Sequence, residues 1–370
     1  MIVFCHLFND RSGSPRVLCG AVDALTENCS ENVLYVGSKG RGLLENTCIP
    51  KHRYWYRRSR LRPITLFNLI ASQIHLAAML SRNRAIPADA VVYVNTLLPF
   101  GAALWARLNR RRLICHVHEV SISPAPLRWF LTAVMARTAD LLIYVSNDHF
   151  KRLPIAGPRA VVLANPVTPA MQTRGMATPF SPRRSGLFEV LMLASPRDFK
   201  GIPEFLDLAR ATADRPDIVF TLVLNADAAE IARYFGRADL PSRVRIHSRT
   251  DNPARFYETA DLVINLSRVD QWVETFGLTL VEAMSFGIPV IAPPVGGPTE
   301  MVSEGVDGFL IDSRDVAAVA ERIRRLADSP DLCLRLSEAA RAKATSFSQK
   351  VFARNLQGHV SSVLNGGLKP

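Results

Sequence analysis

Asp261-Leu-Val-Ile-Asn-Leu-Ser267 leads, through a polar stretch, into Glu274-Thr-Phe-Gly-Leu-Thr-Leu-Val-Glu282 and then into Ala283-Met-Ser-Phe-Gly287-Ile-Pro-Val-Ile-Ala292. The outer pieces contain apolar runs of strand type, and the centre reads as a loop followed by a helix. Two carboxylates, Glu274 and Glu282, are separated by seven residues. If the helix starts near Gly277, Glu274 precedes it and Glu282 lies in its early turns. The amides of Phe276, Gly277 and Leu278 are then free to face an anion at the positive end of the helix. Glu282 alone would also fit an exposed helix position, a reading that leaves the rest of the segment unexplained.

Three further stretches carry chemistry. The apolar run Phe188 to Ala194 gives way to Ser195-Pro-Arg197-Asp-Phe-Lys200-Gly201, so Arg197 and Lys200 emerge at the carboxyl edge of a strand, where ligands of open α/β sheets bind. Two cations there can neutralise a diphosphate as its charge develops, although a solvated basic loop has the same composition. Arg112-Leu-Ile-Cys-His116-Val-His118-Glu119 reads as a strand with polar residues at its end, and alternation puts His116 and His118 on one face. His116 reads as packing and His118 as the candidate for chemistry. Two histidines and Glu119 could suggest zinc, but no further cluster has ligand spacing. The first strand, Met1 to Phe8, opens through Asn9-Asp-Arg-Ser-Gly13-Ser-Pro-Arg16 onto a helix, and Gly13 permits close backbone approach to a ligand. This loop is neither G-x-G-x-x-G nor a P-loop, so ordinary dinucleotide and NTPase readings are unsupported.

Together these motifs resemble the retaining glycosyltransferases of family 4, also called glycosyl transferases group 1, whose E-x7-E signature matches Glu274 to Glu282. The resemblance implies the α/β GT-B fold, two Rossmann-like parallel-sheet domains facing across a cleft. It implies Glu274 at the donor sugar, Phe276 to Leu278 at the diphosphate, Glu282 at the ribose, and Arg197 with Lys200 as the phosphate-neutralising pair. The usual G-R-L opening of that pair is replaced here by Ala194-Ser195-Pro196, which makes Lys200 the firmer of the two. His118 with Glu119 resembles the family's active-site histidine, which contacts the donor sugar or supports transfer. Gly13 resembles its amino-terminal glycine loop, with Gly-Ser in place of the commoner Gly-Gly. The implied activity is transfer of a sugar from a nucleotide-diphosphate donor to a hydroxyl, on a saccharide or lipid-linked saccharide in cell-surface polysaccharide synthesis. No cofactor and no metal are expected, since no Asp-x-Asp occurs. A sugar-nucleotide epimerase or phosphorylase on the same fold is the alternative.

The 370 residues exceed what one core usually supports, and a 48% hydrophobic share fits a well-buried globular chain. Short apolar strands alternate with longer amphipathic segments in both halves, which means parallel sheets with crossover helices. The expected strands are 32–36, 90–94, 113–118 and 141–145, then 190–194, 219–224, 262–266 and 290–292. The expected domains are 1–168 for the acceptor, a Pro/Arg/Thr/Gly/Ser-rich linker at 169–186, 187–346 for the nucleotide sugar, and 347–370 as a helix that the resemblance returns to the first domain. The six cysteines lack C-x-x-C spacing and read as reduced residues of a cytoplasmic protein. Ile64 to Leu80 includes Asn68, Ser72, Gln73 and His75 and reads as a helix with a broad apolar face rather than a membrane span.

The net charge is +12, concentrated in Lys51 to Arg62 and Arg107 to Arg112. Basic residues interleaved with aromatics suit either nucleic acid or an anionic membrane surface. The adjoining apolar helix favours the membrane, so the expected partner is an anionic surface held through Arg53 to Arg62, on the inner face of the plasma membrane, with no nucleic acid. The basic nucleic-acid-binding protein stays as the alternative from another class, and a solvated charged loop as the bland one.

Overall fold

The computed structural model describes residues 1–37, 42–236 and 238–366. The chain divides into two compact units: unit 1 combines Met1–Pro166 with Gln349–Pro370, and unit 2 is Val167–Ser348.

Among the described residues, unit 1 has seven strands: β1 (Ile2–His6), β2 (Val33–Val36), β3 (Lys51–Arg53), β4 (Val91–Asn95), β5 (Leu113–His116), β6 (Leu141–Tyr144) and β7 (Arg159–Val162). They form one parallel sheet in the order β3-β2-β1-β4-β5-β6-β7. Its helices are α1 (Gly13–Leu25), α2 (Arg62–Arg82), α3 (Phe100–Leu108), α4 (Ala125–Thr138) and α5 (Asn147–Arg152). Unit 2 has α6 (Pro169–Ala177), α7 (Ile202–Ala211), α8 (Ala228–Phe235), α9 (Ala254–Tyr257), α10 (Leu278–Ser285), α11 (Pro298–Met301), α12 (Val316–Asp328) and α13 (Pro330–Ala344). Its strands β8 (Phe188–Ala194), β9 (Ile218–Leu224), β10 (Val244–His247), β11 (Leu262–Ile264), β12 (Val290–Ala292) and β13 (Gly308–Leu310) make a parallel sheet in the order β10-β9-β8-β11-β12-β13. The last helix, α14 (Gln349–Asn365), belongs to unit 1. Its Phe352, Leu356, Val360 and Val363 join the core formed by Val17, Leu18, Ala21 and Phe4, each worth roughly 1.5–3 kcal/mol when fully buried.

Both sheets are doubly wound. The strand order reverses between β1 and β4 in unit 1 and between β8 and β11 in unit 2, and the carboxyl ends of those pairs are where an open α/β sheet leaves a crevice.

Three expectations are corrected. The strand read as 113–118 ends at His116, so His118 lies just beyond it. The stretch 169–186 is not a bare linker, because it carries α6. That helix docks closely enough that a Cβ on Gly175 would sit 2.5 Å from the Ser285 carbonyl, and the segment continues to Arg183, paired with Asp217 at 2.9 Å. The cysteines are not all reduced: Cys29 and Cys48 form a disulfide with Cα atoms 5.5 Å apart. Pairing of Leu34 with Lys51 brings the loops entering β2 and β3 together, which spacing along the chain does not reveal. Helix α2 has the broad apolar face expected of it, turned to solvent, while its buried side mixes Leu69, Leu76 and Leu80 with polar residues. Asn68, Ser72 and Gln73 point inward, with Gln73 accepting from the Gly101 amide of α3 at 3.1 Å and Asn68 donating to the Arg57 carbonyl at 2.7 Å. Ile64, Leu66, Phe67, Ile70 and Ile74 face out.

Candidate active site

In unit 2 the loop after β8 and the loop after β11 meet at the switch point. Gly201 adopts φ 82°, and a Cβ there would lie 2.1 Å from the Leu266 carbonyl, so the Lys-Gly turn lets the first loop press against the second. Arg268 ties them further: its amide donates to the Phe199 carbonyl at 2.9 Å and its guanidinium to the buried Glu204 carboxylate at 2.7 Å. The result places Lys200 Nζ on Glu274 Oε1, an ion pair with each side chain 18% exposed. Ser267 Oγ donates to the same oxygen at 2.8 Å, and Lys200 Nζ lies 4.7 Å from the centre of the Trp272 ring, which stacks on Phe199. Burial raises the Glu274 pKa, but the charge of Lys200 and hydrogen bonds from Lys200, Ser267 and Asn265 outweigh it, so the carboxyl sits below its ordinary value.

Helix α10 starts at Leu278 with Gly277 as its N-cap. The amides of Phe276, Gly277 and Leu278 have no acceptor among the described residues, as expected of a helix start. The Phe276 ring is itself buried and meets Phe347 edge-on. The loop is braced from behind by Gly296 and Gly297. The Gly297 amide donates to the Glu274 carbonyl at 2.8 Å, and a Cβ on Gly297 would sit 2.3 Å from the Thr275 carbonyl. Glu282 is buried inside α10 and accepts from Tyr257 Oη at 2.9 Å. Arg197 is not drawn into the cluster: it is exposed, and among the described residues its guanidinium meets only the adjacent Pro196 carbonyl, at 3.5 Å.

Unit 1 gathers different groups at its own switch point. His118 Nε2 lies 2.9 Å from Asn95 Oδ1, and the His116 and His118 rings are 4.4 Å apart. His116 Nδ1 is 2.8 Å from Tyr93 Oη, and His6 Nδ1 is 2.8 Å from the Asn95 carbonyl. Burial and the neighbouring histidines His116, His149 and His6 hold the His118 pKa well below its ordinary value; burial takes His6 down to about 4 and, with His149, His116 to about 3. All are neutral at pH 7. Glu119 accepts from the Leu97 amide at 2.9 Å, and burial raises its pKa. Gly13 is the first residue of α1, and a Cβ there would meet nothing within 4 Å. No group of three or more His, Cys, Asp or Glu among the described residues is placed to hold a metal ion.

Sequence reasoning missed Asn95, Asn265, Trp272 and the Gly296-Gly297 pair. Asn95 and Asn265 had a readable signal, since each is a polar residue at the carboxyl end of an otherwise apolar strand.

The architecture is that of the GT-B glycosyltransferases. *Anabaena* Alr3699/HepE, solved in complex with UDP and glucose, superposes with a TM-score of 0.78 at 21% identity, over 98% of this chain and 99% of that one. The sucrose-phosphate synthase of *Thermosynechococcus elongatus* gives 0.76 at 18% identity, over 98% of each chain. Residues 179–343, almost all of unit 2, match the model of the family described as glycosyl transferases group 1. D-inositol 3-phosphate glycosyltransferase 1 of *Catenulispora acidiphila* is 34% identical over 146 residues, 39% of this chain and 34% of that protein. The corresponding *Arthrobacter* protein is 27% identical over 238 residues, 62% of this chain and 54% of its own length. The chain thus spans at most about half the length of these two curated relatives.

Proposed function

We propose that this chain is a nucleotide-sugar glycosyltransferase of family 4 that retains the configuration of the transferred sugar. One observation carries the reading: Lys200 and Glu274, a cation suited to a diphosphate and a carboxylate suited to sugar hydroxyls, are held side by side next to the amides that open α10. The relatives' names support a glycosyltransferase, and the UDP and glucose bound to the Anabaena protein support a nucleotide sugar as donor.

In the proposed reaction the bond from the anomeric carbon to the diphosphate oxygen breaks while positive charge builds on the ring. The acceptor hydroxyl attacks from the face the diphosphate leaves, and its proton passes to a departing phosphate oxygen. Lys200, Arg197 and the amides of Phe276 to Leu278 take up the diphosphate's charge, the role a metal ion plays elsewhere. Glu274 is ionised at neutral pH and accepts from sugar hydroxyls in a fixed geometry. His118 orients the sugar. Glu282 serves the ribose while sharing its carboxylate with Tyr257, and binding energy gathered there helps position the reacting end.

For the acceptor we favour a lipid-linked saccharide in polysaccharide synthesis, met at the inner face of the plasma membrane. The outer face of α2 supports this, with Phe67 69% and Ile74 67% exposed beside Arg57, Arg58, Arg60 and Arg62. Helix α2 is long and apolar enough to cross a membrane, but its polar inner face is engaged by unit 1, which favours lying on the surface. Replacing the four arginines by glutamine should abolish sedimentation with anionic vesicles; unchanged sedimentation removes the membrane from the proposal.

A thermal-shift screen of nucleotide sugars tests the donor, since a ligand that binds only the folded state raises apparent stability. If none stabilises the protein or is consumed, the transferase reading fails. NMR of the product decides stereochemistry, an inverted linkage ending the retention proposal, and conversion of donor without acceptor would favour the epimerase.

A further inference from the structure

Asn95 sits at the carboxyl end of β4, fully buried, and each of its polar groups is used. Its Nδ2 donates to the Ser14 carbonyl in the first turn of α1 at 3.1 Å. That fixes the amide, so Oδ1 is the group turned to His118 Nε2 at 2.9 Å. An amide oxygen only accepts, and Nε2 must therefore carry the proton. The Asn95 carbonyl is held as well, 2.8 Å from His6 Nδ1.

The backbone around it is constrained in the same direction. Thr96, next in the chain, is a β-branched residue at φ 81°, a conformation costing roughly 1–3 kcal/mol. The turn it makes brings the Leu97 amide to Glu119 Oε1 at 2.9 Å, while Glu119 Oε2 accepts from the His118 amide at 3.2 Å. The end of β4 thus grips His118 twice, by its ring through Asn95 and by its backbone through Glu119. Nδ1 of His118 has no partner among the described residues.

We infer that Asn95 is the positioning residue of His118, locking its imidazole as the neutral Nε2–H tautomer so that Nδ1 is presented as a hydrogen-bond acceptor to a substrate hydroxyl. The inference rests on the transferase reading for its substrate but not for its tautomer. Because Asn95 also holds Ser14, it joins the His118 ring directly to the first turn of α1, which Gly13 opens.

Nitrogen-15 spectra of the histidine side chains in the full chain test this without any donor, with His118→Ala identifying the His118 signals. The wild type should show His118 neutral at pH 7, with a resolved, slowly exchanging Nε2–H. Asn95→Leu should lose that proton to exchange and move both ring nitrogens toward a mixture of tautomers. Asn95→Asp keeps an acceptor, so it should restore the Nε2–H signal and raise the protonation midpoint of His118. A wild-type proton on Nδ1, or ring signals that Asn95→Leu leaves unchanged, overturns the inference; the first needs no variant to fold. With UDP-glucose as probe, Asn95→Leu should lower kcat on the order of 10²-fold and Asn95→Asp should recover part of it. Unchanged kcat in a variant whose tautomer has moved overturns the positioning role. A wild-type chain inert toward every nucleotide sugar counts against the transferase reading alone.

Discussion

The two units put their polar residues at the same topological place and use opposite electrostatics there. In unit 2 a lysine and a glutamate remain charged because each is the other's counter-ion, with Ser267 and Asn265 completing the carboxylate's shell. In unit 1 four histidines crowd together without an opposing charge strong enough to hold a proton on them, and burial leaves His6, His116 and His118 uncharged. The switch point of a doubly wound sheet therefore sets where a site lies, and the residues at the strand ends set whether it offers charge or neutral hydrogen bonds.

The largest effect expected from disturbing this contrast is that of Lys200→Ala. It strips the counter-ion from Glu274, whose pKa is then governed by burial and rises, and turnover should fall on the order of 10²–10³-fold. Glu274→Ala should match it in steady-state assays, with both variants still folded by circular dichroism; near-wild-type turnover in either variant would take that residue out of the site.

A glycine-to-alanine pair sharpens the contrast in packing. Gly297→Ala places a Cβ 2.3 Å from the Thr275 carbonyl and 2.5 Å from the Phe276 Cα, so it should cost about 1–3 kcal/mol and disturb the Glu274 loop. Gly13→Ala meets nothing within 4 Å and should stay within about 0.5 kcal/mol. Denaturant unfolding measures both, and equal losses would mean that the braced loop is no tighter than the open one.

Acid should separate the units more gently. The buried histidines of unit 1 have folded pKa values below the unfolded value of 6.5, so unfolding takes up protons, and their stabilisation declines as pH falls from about 6.5 toward about 4. In unit 2 the depressed Glu274 keeps its contribution above the ordinary glutamate value of 4.5 and loses it only below. Burial raises Asp261 to about 6, so its destabilising charge is relieved over the same interval. Hydrogen exchange corrected for intrinsic rates should show protection falling between pH 7 and pH 5 in β5 but not in β11. Parallel loss in both strands would refute the assignment of the effect to the histidines.

The central strands were legible because they are buried on both faces and read as continuous apolar runs. The strands that sequence reading passed over, β3, β7, β10 and β13, are the four edges; β3 is Lys-His-Arg, and β7 has largely exposed side chains. Edge strands carry the solvent-facing composition of loops, and their identity comes from the neighbour they pair with. The same limit applies to the site. Lys200 and Glu274 were each readable from their local strand–loop–helix setting, but their contact spans 74 residues and exists because Gly201 lets two loops touch. Helix α2 shows the limit in another way: its apolar face and its polar residues were both visible, but which side packs inward is decided by partners such as Gly101, which binds Gln73. Asn95 had a local signal at the end of an apolar strand, but its partners, Ser14, His6 and His118, come from three other segments, so its role was not readable.

Unit 2 is an insertion within unit 1. Its two ends are stitched together, with the Val167 amide on the Phe347 carbonyl at 2.8 Å and Val167 bridged to Ser348. During synthesis residues 167–348 can close their own core as soon as they emerge, whereas the earlier-made half must wait for α14, whose Gln349 and Gln357 side chains reach the Gly20 and Ala24 carbonyls of α1. The half made earlier is thus the half that finishes folding later, and a nascent chain that has not yet made α14 carries an uncovered α1.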